Sequence, residues 1–161
     1  MPAADEDYHA RQAGARELML TTRAAELGFA DAGSAPWGVA IDIGFDEEAA
    51  ATVISLADGT TSLYTTTGGG IVGGGEHDAV AVASRKLVTA AADFVDDVLP
   101  RQDTDLPGGG HVTLWLRIGD DRFARTVPEA ELMSGESPLA ALYATGHEVI
   151  TQLRLLDDAR A

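Results

Sequence analysis

Six glycines in eight positions, Gly68, Gly69, Gly70, Gly73, Gly74 and Gly75, run straight into Glu76 and His77. Glycine amides that open onto a helix can cradle an anion. Gly68-x-Gly70-x-x-Gly73 also meets the spacing of a dinucleotide-binding turn. That chemistry needs a strand–turn–helix unit and an acidic residue closing the next strand about 20 positions on. Here the preceding segment belongs to a hairpin meander, and Asp93, Asp96 and Asp97 fall inside a helical pattern. Glu76 and His77 stand where a Walker-type loop places Lys and Ser/Thr. Glu76 and Asp78 already complement the helix dipole. The run therefore reads first as backbone that needs positive φ or close approach. Small-ligand or anion binding by residues 68–77 is the alternative.

Four histidines are present: His9, His77, His111 and His147. None has another four residues on, and no HExxH occurs, so no metal site is expected. His77 and His111 both follow glycine clusters at element starts, and folding could bring them together. No serine sits in a GxSxG elbow, and without cysteine there is no thiolate chemistry, disulfide or Cys-based zinc site. No catalytic residue and no cofactor is assigned. Asp42, on the polar face of a strand, is expected to face solvent. Trp115 shares the polar face of its strand with Thr113 and Arg117. A large aromatic there is either covered by a helix or exposed for a partner. Aromatic and Arg side chains are enriched at interface centres, so on the second reading Trp115 and Arg117 are the expected contacts of a homodimer.

The elements that must position these residues follow from periodicity. Residues 1–7 read as a disordered acidic tail, and 8–161 as one domain. Helical spacing runs from Tyr8 to Leu27, with Gly28 as its C-cap. Trp37 to Phe45 alternates as a strand, with Val39, Ile41, Ile43 and Phe45 on one side. Ala51 to Leu56 and Thr60 to Thr67 are joined by an Asp58-Gly59 turn. A helix carries Val80, Ala83, Leu87, Ala91, Phe94 and Val98 on one stripe and stops before Pro100. His111 to Ile118 and Arg122 to Val127 make a hairpin. Ser137-Pro138 opens a last helix whose stripe is Leu139, Leu142, Gly146, Val149, Leu153 and Leu156. The order α-β-β-β-α-β-β-α predicts an α+β domain: a mainly antiparallel five-stranded sheet with helices on one face.

The chain of 161 residues carries a formal net charge of −15, with ten arginines and one lysine. Such a surface repels phosphate backbones and suits a basic partner. The N-terminus lacks the apolar core of a secretory signal and no apolar stretch approaches a membrane span, so a cytoplasmic protein is expected, away from nucleic acid and membrane.

Three segments, WGVAIDIG (37–44), LADGTTSLY (56–64) and GGGIVGGGEH (68–77), resemble a bacterial family of small uncharacterised proteins. That likeness implies no activity. The order of elements, the acidity and the C-terminal amphipathic helix are similar to the type III secretion chaperone-like fold. That second likeness implies a dimeric, cytosolic, non-enzymatic protein that holds an extended segment of a client. It transfers no site residues. The leading expectation is thus a protein-binding, chaperone- or adaptor-like module. The alternatives are a ligand-binding domain using the glycine run, or an acidic protein that neutralises a basic partner.

Overall fold

The computed structural model describes residues 14–46, 49–66, 70–72 and 76–160. It has the expected α+β class. Helix α1 (14–21) leads through two short 3-10 turns, Ala24–Leu27 and Ala30–Ala32, into the sheet. The strands are β1 (Pro36–Gly44), β2 (Ala50–Leu56), β3 (Thr61–Thr65) and β4 (Gly70–Val72). Helix α2 (Asp78–Ala91) follows, then a 3-10 segment Ala92–Asp97 and β5 (Leu99–Pro100). β6 (His111–Ile118), β7 (Asp121–Pro128), α3 (Glu129–Ser134) and α4 (Ala140–Arg160) complete the chain.

The sheet has seven strands in the order β4-β3-β2-β1-β6-β7-β5, with every neighbouring pair antiparallel. The two strands beyond the expected five are the short edges, β4 and β5. The long strands behave as their alternation requires. Val39, Ile41, Val53, Val112, Leu114, Leu116 and Val127 point into one core with the inner stripes of α2, α3 and α4. The Asp58-Gly59 turn closes as expected, with Gly59 at φ 93°. Ser137 caps the start of the last helix, its Oγ accepting from Leu139 N at 3.2 Å.

Helices cover both faces, not one. The second face carries Ala40, Ile54, Tyr64, Trp115 and Ala124, and packs against Met19 and Leu20 of α1. That arrangement accounts for a correction at the N-terminus. The helix pattern expected through Leu27 breaks after residue 21, because α1 must turn off the sheet there. Gly28 still terminates the following 3-10 turn, at φ 89°. Residues 1–13, including the expected tail and His9, lie outside the described residues.

Between β2, β3 and α2 lies a buried cluster of hydroxyls. Ser84 of α2 bonds Ser55 at 2.7 Å and also Thr61, whose Oγ1 donates onward to Gly59 O at 2.8 Å.

Candidate functional site

Strand register assembles the site. Asp42 on β1 lies opposite Thr52 on β2 and Thr113 on β6. Thr52 in turn faces Tyr64 on β3, and Thr113 faces Thr126 on β7. A polar row, Tyr64–Thr52–Asp42–Thr113–Thr126, therefore crosses five strands on the α1 face. Trp115 stands one row away beside Ala40 and Ala124.

Asp42 is fully buried, which corrects its expected exposure. A buried carboxylate is costly without a cation and hydrogen bonds. Both are present. Oδ1 accepts from Arg16 Nε at 3.1 Å and Thr52 Oγ1 at 2.6 Å. Oδ2 accepts from Arg16 Nη2 at 2.8 Å and Trp115 Nε1 at 2.8 Å. Each oxygen thus has two donors, which uses the acceptor capacity of the ionised group. A carboxylate so engaged holds structure; it has no lone pair left over to take a proton from a substrate. Burial alone would lower the Arg16 pKa, but the bond to Asp42 and its charge outweigh burial and raise it.

Tyr64 ends the row differently. Its hydroxyl is buried and has no hydrogen-bond partner among the described residues. Burial pushes its pKa above the ordinary tyrosine range, against the pull of the Arg16 charge. At the far end of the row Arg101 donates to Thr126 Oγ1 at 2.7 Å. Its guanidinium lies 5.2 Å from the centre of the Trp115 ring, and that of Arg16 lies 5.8 Å from it. Two cations thus address one indole.

The same face fastens the end of α1. Arg117 Nη1 donates to Met19 O at 2.5 Å, and Arg122 Nη1 to Leu20 O at 2.8 Å. These are carbonyls of the last helical turn, which lack intrahelical partners, and cations there complement the dipole. Asp120 Oδ1 accepts from Ala24 N at 2.9 Å just beyond. Burial, then the neighbouring Arg122, holds the Arg117 pKa below its usual value.

The expected interface pair does not lie on an exposed surface. Trp115 is 0% exposed and Arg117 1%, both covered by their own chain. α1 occupies the surface that a second protomer was expected to take. Of the glycine run, Gly68, Gly69, Gly73, Gly74 and Gly75 lie outside the described residues. Gly70 opens β4 opposite Tyr64. Glu76 is exposed, and His77 is the half-buried N-cap residue of α2. Gly70 and Trp115 are not neighbours: β3, β2 and β1 separate β4 from β6. His111 is exposed, its Nδ1 3.2 Å from Gly109 O. Among the described residues no group of three or more His, Asp or Glu is placed to hold a metal ion. None of their helices is long and apolar enough to cross a membrane.

Arg16 went unread in the sequence. The available signal was its spacing: Arg16, Met19 and Leu20 stand at i, i+3 and i+4, which puts an arginine on the buried stripe of α1. No family model, curated protein or solved structure matches the chain.

Proposed function

We propose that the chain is a protein-binding module whose receptor surface is the Asp42–Trp115 face of the sheet. One observation carries this reading: the face is built to hold a helix through polar tethers. A buried carboxylate takes an arginine from the helix, and two arginines take the helix's terminal carbonyls. The fully engaged Asp42 favours a holding role over a chemical one. The net charge of −15 selects basic partners and speeds their encounter.

Capture on the immobilised full chain, followed by reconstitution with the purified partner, tests the reading. A stoichiometric complex with a basic protein, weakened by salt, is the expected result. Absence of any such complex, with thermal stabilisation by nucleotides or inorganic phosphate instead, would overturn it and favour the glycine run as a ligand site.

A further inference from the structure

We infer that α1 is a displaceable occupant of this face, standing in for an arginine-bearing helix of a basic partner protein. The inference rests on the protein-binding reading and names the partner's chemistry.

The hold on α1 is local. Among the described residues its buried apolar contribution is Met19 and Leu20, with Ala15 partly buried, while Leu18 is 55% exposed on the outside. The rest of the described attachment is Arg16, bound to Asp42 and set over the Trp115 ring, and the two carbonyl tethers. Such a contact can open without disturbing the apolar core on the other side of the sheet. The connection to β1 suits the motion: residues 22–35 hold only short 3-10 turns, with Gly28 at φ 89° and Gly33 at φ 63°.

The uncovered face would dictate what replaces α1. Asp42 would keep Thr52 and Trp115 but lose its only cation among the described residues. An invading helix must therefore bring an arginine, whose planar fork reaches both carboxylate oxygens; lysine, a point charge, cannot reproduce it. The helix must also end over Arg117 and Arg122. Tyr64 supplies the second demand. With α1 in place its buried hydroxyl makes no hydrogen bond of full geometry among the described residues. A partner helix with a well-placed polar side chain above Tyr64 would supply one.

The test uses the full chain and a labelled synthetic peptide of residues 10–24, followed by fluorescence anisotropy. The Arg16→Ala chain should bind the peptide saturably, and the wild-type chain should bind it at least about tenfold more weakly, because its own helix competes. A peptide carrying Arg16→Lys should lose at least about tenfold in affinity for the Arg16→Ala chain. Hydrogen exchange on the wild-type chain provides a readout independent of that variant's folding. Amides of 14–21 should exchange by local opening while β1 and β6 stay protected. Exchange of α1 only through global unfolding would overturn the inference. So would a folded Arg16→Ala chain that ignores the peptide; a partner complex of the wild type in that case would leave the protein-binding reading standing. A wild-type dimer dissolved by the peptide would make the occupant a second copy and overturn the assignment to a partner.

Discussion

Asp42 and Tyr64 occupy one row of one sheet face and meet opposite fates: the first has every acceptor position used, and the second has no hydrogen bond of full geometry among the described residues. The difference sets what each substitution should do. Tyr64→Phe removes a buried hydroxyl that makes no hydrogen bond of full geometry among the described residues, so it should be neutral or stabilising by up to about 1 kcal/mol in urea unfolding at pH 7. Its pH signature has a definite sign. Folding raises the Tyr64 pKa, so the unfolded chain ionises first. The stability it contributes is complete below the ordinary tyrosine pKa of about 10 and falls as pH rises beyond it. Tyr143 behaves likewise, raised by burial and by its bond to Glu129. Tyr64→Phe should therefore flatten the alkaline loss without abolishing it; a slope above pH 10 equal to wild type would remove Tyr64 from the account. Ser84→Ala acts the other way. It leaves Ser55 Oγ without the hydroxyl that it bonds, in a fully buried position. The expected cost is about 1–3 kcal/mol, and an unchanged unfolding midpoint would show that Ser55 finds another partner.

At the level of elements, α4 crosses β1 where glycine lets it approach. A Cβ on Gly146 would run into Ile41 Cδ1. Gly146→Ala gains helix propensity yet crowds a buried side chain, and a net loss of about 1–2 kcal/mol is expected. Ile41→Val removes the obstructing methyl. In the Gly146→Ala background it should restore stability, although alone it should cost about 1 kcal/mol. Additive losses in the double-mutant cycle would place the strain elsewhere. Strands β1 and β6 were legible because strict alternation runs their full length, and α4 because Ser137 marks its start. β4 and β5 were not. Three residues inside a glycine run and a Leu-Pro pair present no period to read. α3 is likewise too short for one. The stripe of α2 runs through Val98 as its spacing predicts, but the turn tightens to 3-10 after Ala91, a change that side-chain spacing hardly registers. Half of the candidate site was visible as Asp42, Thr113, Trp115 and Arg117 on polar strand faces. Its other half, Arg16, lies 26 residues before Asp42. A pairing at that separation leaves no local pattern, so a polar face that needed a partner looked like one that faced water.

For the molecule as a whole, 26 acidic against 11 basic side chains mean that the folded chain repels itself. Added sodium chloride should raise the melting temperature, since screening relieves repulsion among exposed charges. The Arg16–Asp42 pair, with side-chain exposures of 11% and 0%, is shielded from that screening. A melting temperature that falls with salt would mean exposed attractions dominate. The ends of the sheet bear on a different hazard. Among the described residues β4 offers three to a neighbour, and β5 offers two, the second a proline without an N–H to donate. The margin left to a chain seeking to extend the ladder is the outer edge of β7 from Arg125 to Pro128, which β5 does not reach. Pro128 blunts the end of that edge, since it too has no N–H to write with.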